Sequence, residues 1–360
     1  LPGGRELIGI VAGIISESRP GSFRNSGRDH LGIRIQLASP LARGLFRQAI
    51  IQSGPCQYQF PSLADSQEVG RSTAERLGCT GTDKAVVSCL RRIPVTTMLA
   101  NMVPGAGGPG NAPSVGGGVL PLNIRESVAF GRSNQVPVLQ GSNRDEALWH
   151  VASNYADPAA ALTASGYSEA LRRSFGSRAS AVEAAYPPDA FASPLAALAR
   201  VLTDSSINYR IGACNTLLAH RLLAPSRKLY AYELADPRAP FPFAPYEFAT
   251  GGIRGSGHTS ELAYLWDSPA QLTPGQQRLS RTMIVYWTNF AANGDPNGPG
   301  LPEWRPFEPG VERVQILSPD QVRESRTFEQ EHKCDFWSRM GLNTLYSFEY
   351  RADYKAVNIR

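Results

Sequence analysis

The stretch Val136-Pro-Val-Leu-Gln-Gly-Ser-Asn-Arg-Asp-Glu146 narrows the choice of fold more than any other in the chain. A short β-rich apolar run ends at Gly141, and a polar turn then delivers Asp145 and Glu146. Open α/β sheets present carboxylates in this way, at the carboxyl end of a strand. A second stretch, Gly255-Ser-Gly-His258-Thr-Ser-Glu261, sets a histidine on a Gly/Ser-rich loop ahead of an apolar, helix-capable run.

Around these two stretches the hydrophobic period alternates between strand and helix. Gln48 to Ser53 and Lys228 to Leu234 read as strands, Val311 to Leu317 as a last strand, and Leu7 to Ile15 as a further buried one. Helices are expected at Leu37 to Phe46, where Pro40 suits a first turn, at Ala64 to Leu77, stopped by Gly78, and at Pro121 to Phe130. Ala156 to Arg200 is alanine-rich and helical in several pieces. The clearest helix is Gly275 to Asn293, in which Leu279, Met283, Trp287 and Phe290 share one face and Gly294 and Pro296 stop the chain. Residues 103–118 form a glycine-rich loop. Pro237 to Pro245 is rich in proline and phenylalanine and either lines a pocket or simply connects. Strands alternating with helices predict an α/β fold with a mainly parallel sheet.

The 360 residues suffice for one large domain or two modest ones, and 42% hydrophobic with 19% charged residues is a globular balance. The net charge of +5 comes mostly from arginines scattered along the chain, which excludes the footprint of a nucleic-acid binder. No apolar run reaches the roughly 18 residues of a membrane span. The start, Leu1-Pro-Gly-Gly, has neither an initiating Met nor a basic signal-peptide region and reads as the interior of a longer chain. The five cysteines, Cys56, Cys79, Cys89, Cys214 and Cys334, include no Cys-x-x-Cys pair. Cys79 and Cys89 flank a turn and are placed to close a short loop; the alternative is five free thiols in a cytosolic enzyme.

An acid followed by a histidine is the second half of the order Ser, Asp/Glu, His in α/β-hydrolases. Such chemistry needs a nucleophile on a tight elbow, a base to take its proton, and a buried acid to fix the base's tautomer. Glu146 and His258 suit the last two roles. No Gly-x-Ser-x-Gly elbow is present, and Ser72, Ser133 and Ser168 follow no strand. Two candidates remain near the start: Ser18, which follows an apolar strand, and Ser26, which has Arg24 and Arg28 where an elbow needs glycine. His258 and Glu261 stand three apart without an HExxH motif, so no metal is expected. The glycine-rich loop lacks the Lys-Ser/Thr of a phosphate cradle, and His150, His220 and His332 have no cluster around them.

From about Gln36 to Trp337 the chain resembles the type-B carboxylesterase/lipase family, which includes cholinesterases and bacterial para-nitrobenzyl-type esterases. The resemblance lies in Gln36-Leu-Ala-Ser-Pro-Leu-Ala-Arg-Gly-Leu-Phe-Arg-Gln-Ala-Ile-Ile-Gln-Ser-Gly54, in Val136 to Glu146, in Gly257-His258-x-x-Glu261-Leu262, and in Tyr286-Trp-Thr-Asn-Phe-Ala-Ala-Asn-Gly-Asp-Pro-Asn-Gly298. It implies an α/β-hydrolase fold, a mainly parallel sheet with helices on both faces, here without the family's amino-terminal strands and oxyanion loop. It also implies hydrolysis of small carboxylic esters through a Ser-Glu-His triad, without a cofactor. The family's Glu falls on Glu146 and its His on His258, and counting back from Pro40 places its serine within a residue of Ser26. A disulfide joins the positions of Cys79 and Cys89 in many secreted members, which implies export. Residues 1–35 do not match and read as a misjoined or frameshifted segment; 36–337 read as the carboxyl-terminal part of the domain, and 338–360 as an unrelated tail. Impaired ester hydrolysis is the expected function, with a catalytically dead fragment or a cholinesterase-like binding module as the alternatives.

Overall fold

The computed structural model describes residues 35–54, 60–101, 113–154, 162–206, 211–240, 254–267 and 271–341. Its centre is a five-stranded sheet of β1 (Ala49–Gln52), β2 (Val138–Asn143), β3 (Leu229–Leu234), β4 (Val314–Leu317) and β5 (Arg323–Ser325), in that spatial order. The first four strands are parallel and β5 pairs antiparallel with β4. Val314–Leu317 is therefore not the last strand, as the sequence suggests. Three residues with an outward Arg323 carry too little alternation to be read as β5.

The helices, in chain order, are α1 (Leu63–Arg76), α2 (Asp83–Leu90), α3 (Val95–Asn101), α4 (Ile124–Ala129), α5 (Leu148–Asn154), α6 (Ala164–Phe175), α7 (Ala179–Ala185), α8 (Pro194–Ser205), α9 (Ala213–Leu223), α10 (Leu262–Leu265), α11 (Pro274–Asn293), α12 (Phe328–Glu331) and α13 (Cys334–Arg339). Alternate residues of the strands face two separate cores. Val138, Leu229, Ala231, Val314 and Ile316 pack with Leu198 and Val201 of α8 and Leu217 of α9. Leu139, Tyr230, Tyr232, Leu234 and Leu317 pack on the other face with Leu279, Met283, Tyr286, Trp287 and Phe290 of α11. Helices thus cover both faces, which is why every residue of the three central strands is buried, polar ones such as Gln140 and Glu233 included. Each large side chain buried in this way contributes about 1.5–3 kcal/mol.

The expected stops hold: α1 and α11 end where Gly78 and Gly294 adopt φ of 73° and 72°, conformations that cost other residues a Cβ clash. Leu37 to Phe46 is not a continuous helix. Residues 35–38 are helical, Ser39 then caps a single 3-10 turn, Pro40–Ala42, and Gly44 at φ 80° breaks the chain before β1. Proline opens a helical turn here, but the glycine four residues later ends it. Leu7 to Ile15, and Pro237 to Pro245 from residue 241 onward, lie outside the described residues.

Two disulfides staple the helices. Cys79 and Cys89 pair as the resemblance implies, and Cys214 of α9 pairs with Cys334 of α13 across 120 residues. Both are compatible with an extracellular or lumenal setting. No helix among the described residues is long and apolar enough to cross a membrane.

Candidate active site

Parallel pairing sets the carboxyl ends of β1 and β2 side by side. Gln52 stands opposite Gly141, and the Ser53 N–H donates to the Gly141 carbonyl at 2.8 Å. Ser53 itself turns to φ 53°, out of the strand, and aims its hydroxyl at the turn that follows β2. There Glu146, fully buried, accepts three hydrogen bonds. Ser53 Oγ donates to Oε1 at 2.5 Å, the Asn143 backbone N–H donates to the same oxygen at 2.8 Å, and His258 Nδ1 lies 2.8 Å from Oε2. A carboxylate only accepts, so the proton in the last bond belongs to Nδ1 and the neutral ring carries its lone pair on Nε2. The His258 backbone N–H also donates to the Glu146 carbonyl, at 3.2 Å. Burial opposes a charge on His258. The Glu146 carboxylate, its hydrogen bond and the nearby Glu261 together outweigh that penalty and raise the imidazole pKa.

Glu261, which the sequence offers only as a partner for His258 in a metal site, lies in the same pocket. Its oxygens accept from Gln52 Nε2 at 3.2 Å and Asn143 Nδ2 at 2.5 Å. Burial and the charge of Glu146 push its pKa up. Asn143 therefore serves both acids, one with its backbone and one with its side chain. Gln52 is held in turn by Trp287 Nε1 at 3.3 Å. No cluster of metal-ligating side chains occurs among the described residues.

The loop bearing His258 is seated closely. Gly257 lies so near α5 that a Cβ there would meet the Trp149 indole at 2.2 Å. Next to Glu146, Asp145 turns the other way, toward Arg200 of α8 at 3.5 Å. Arg200 borders a buried ionic cluster. His332, expected to stand alone, bridges Asp204 through Nδ1 at 2.5 Å and Glu233 through Nε2 at 2.6 Å. Those partners lie on α8 and β3, far from His332 in sequence, so no local pattern reveals them. Burial opposes the charge on His332, but the two carboxylates raise its pKa to about 9. His220 is the opposite case: buried, with Nε2 against the Gln140 carbonyl at 3.2 Å and no carboxylate beside it, its pKa falls to about 3.

The structure thus brings together Glu146 and His258, and joins Cys79 to Cys89. Ser26 and Ser18, with Arg24 and Arg28, lie outside the described residues, as does Cys56. Ser72 and Ser168 sit within α1 and α6, and Ser133 accepts from Arg227 at 2.7 Å, away from the pocket.

Among known proteins, the chain is 25% identical over 350 residues to "Fatty acyl-CoA hydrolase precursor, medium chain" of Anas platyrhynchos, which covers 89% of this chain and 58% of that protein. It is 26% identical to "Pyrethroid hydrolase Ces2a" of Mus musculus and 25% identical to "Cocaine esterase" of Homo sapiens, each match covering 84% of this chain and 54% of the relative. The chain therefore spans little more than half the length of these relatives. The carboxylesterase family profile matches residues 32–337, a span that takes in every strand of the sheet as well as Glu146 and His258, and on that match the chain belongs to the carboxylesterase family.

Proposed function

We propose that this chain hydrolyses carboxylic esters through a Ser-Glu-His triad of Ser26, Glu146 and His258, and that Arg24 and Arg28 hold its turnover low. The observation that carries the reading is the 2.8 Å contact of His258 Nδ1 with the buried Glu146 carboxylate. It fixes the tautomer in which Nε2 can take a proton, and it stabilises the imidazolium that results. In the reaction, Nε2 takes the Ser26 hydroxyl proton as Oγ attacks the ester carbonyl. The tetrahedral intermediate collapses to an acyl-enzyme, and the alcohol leaves with the proton returned by Nε2. A water, deprotonated by the same nitrogen, then releases the acid.

Low turnover follows from the elbow. Glycine at both flanking positions allows the strained turn and the close approach of helix to strand. Arginine at such a position would bring a Cβ and a long charged side chain into that space. The relatives' names speak of fatty acyl-CoA, pyrethroid and cocaine, acyl compounds of unlike shape, so the substrate is assigned only as a carboxylic ester.

The test is a fluorophosphonate probe with peptide mapping, alongside turnover of a short p-nitrophenyl ester. Slow labelling at Ser26, lost in His258→Ala and faster in the Arg24→Gly/Arg28→Gly double variant, supports the proposal. Labelling at Ser18 would move the nucleophile. No labelling in either the chain or the double variant would make it a catalytically dead fragment or a binding module.

A further inference from the structure

We infer that Ser256 and Asp145 are positioning residues that hold His258 at its working distance from Glu146; the inference rests on the triad reading above. The residues before the histidine, Gly255, Ser256 and Gly257, are among the least restrained a chain can have, and fixing them costs backbone entropy. A general base must nevertheless be held to within a few tenths of an ångström. The order in this loop has to come from outside it.

Ser256 is where that order enters. The side chain and backbone are fully buried, and every polar group of the residue is engaged. Its N–H donates to Asp145 Oδ2 at 3.1 Å, and its carbonyl accepts from the Asp145 N–H at 2.9 Å. Its hydroxyl donates to the Asp236 carbonyl, just beyond β3, at 2.9 Å. Asp236 is fixed in turn, since its carboxylate accepts from Tyr264 Oη and from Gln276 Nε2 of α11. The other oxygen of Asp145 faces Arg200. A Cβ on Gly255 would meet Asp145 Oδ2 at 2.6 Å, so the loop backbone lies directly against this carboxylate.

The neighbouring acids therefore divide one task. Glu146 meets the imidazole, while Asp145 grips the backbone two residues before it. Both leave the same turn after β2, so the carboxylate that orients the ring and the one that anchors its loop move as a unit. A shift of the loop would stretch the His258–Glu146 bond.

The experiment uses the full chain with ¹⁵N-labelled histidine. Its readouts are the low-field Nδ1–H resonance of His258, assigned by its loss in His258→Ala, and the imidazole titration. Asp145→Ala should abolish the resonance and bring the His258 pKa down from its raised value. Asp145→Asn, which keeps an acceptor for the Ser256 N–H, should restore most of both. Turnover should fall about 100-fold in kcat with KM unchanged, the cost of a base displaced by about 1 Å. Should Asp145→Ala fail to fold, Ser256→Ala, which removes one hydroxyl, carries the same readout with a smaller expected effect. Variants that melt earlier but keep the resonance and the raised pKa would overturn the inference and leave these residues a merely structural part. The resonance needs no turnover, so a His258→Ala chain with unchanged activity would sink the triad reading separately.

Discussion

Replacing Glu146 by glutamine tests the site at its hub, because the three donors around it are not equivalent. Two of them, Ser53 Oγ and the Asn143 N–H, converge on Oε1, while His258 Nδ1 alone meets Oε2. Glutamine has one oxygen and one NH₂ to place in these two positions. With the NH₂ at the Oε1 position, the Asn143 N–H would face another donor and, being backbone, could not turn away. A buried group left unpaired in this way costs about 1–3 kcal/mol. With the oxygen at Oε1, both donors there are kept and the NH₂ faces His258. The imidazole can then accept through Nδ1 by moving its proton to Nε2, at no loss of a hydrogen bond. Glu146→Gln should therefore keep the fold and lock His258 in the wrong tautomer. The raised pKa of His258 should also fall, since burial remains and the carboxylate that offsets it is gone.

In the proposed mechanism Nε2 must hold a lone pair, so the variant should lose about 10⁴ in kcat, or about 5 kcal/mol of transition-state stabilisation. Long-range ¹H–¹⁵N correlation spectra distinguish the two tautomers directly, and fluorophosphonate labelling reports the nucleophile's activation. If His258 in Glu146→Gln keeps its proton on Nδ1, or if labelling slows less than tenfold, the argument from unequal donors is wrong.

The disulfides should differ in worth because they close loops of different length. Serine replacement of Cys214 and Cys334, separated by 120 residues, should cost about 5 kcal/mol, against about 3 kcal/mol for Cys79 and Cys89, separated by 10. Urea unfolding that gives the two variants equal stability, or the reverse order, would contradict this. His332 should make the fold sensitive to alkali. Its folded pKa of about 9 lies above the unfolded value of about 6.5, so its stabilisation is complete below about pH 6.5 and is lost as pH rises through 9. The loss is on the order of 3 kcal/mol. It should show as a slope in unfolding free energy between pH 6.5 and 9 that is absent in His332→Gln, and a flat profile for the unaltered chain would remove the claim.

What the sequence shows of this fold depends on how local each signal is. The α11 face is visible because Leu279, Met283, Trp287 and Phe290 repeat within one helix, and all four are buried. The turn after β2 is visible because an apolar run stops and two acids follow, although the strand itself continues to Asn143. That Glu146 belongs with His258 comes from chain order and family resemblance, since 112 residues separate them. Ser53 and Asn143 gave no warning. Their side-chain bonds span 93 and 118 residues, and a serine at a strand end or an asparagine in a turn has an ordinary local explanation. Cys214 and Cys334 escape for the same reason, whereas Cys79 and Cys89 sit on either side of one turn. The error at Pro40 is of another kind: proline favours a first helical turn, but nothing in that preference says how many turns follow.

The second acid in the pocket sets the charge that His258 meets. Glu146 and Glu261 are both buried, and two charged carboxylates so placed would each be stripped of water and repel the other. Their surroundings divide them. Glu261 accepts from two side-chain amides, and burial with the neighbouring charge raises its pKa. Glu146 receives a backbone N–H, a hydroxyl and the imidazole. Asn143 touches both, so one residue links the acid that faces the base to the acid beside it. In the proposed reaction, His258 becomes positive as it takes the serine's proton. That charge is paired with the Glu146 carboxylate in a buried pocket. A charge on Glu261 would leave a second negative group beside that pair and hold the imidazolium more tightly, slowing the return of its proton to the leaving alcohol; burial and the charge of Glu146, which raise the Glu261 pKa, oppose that.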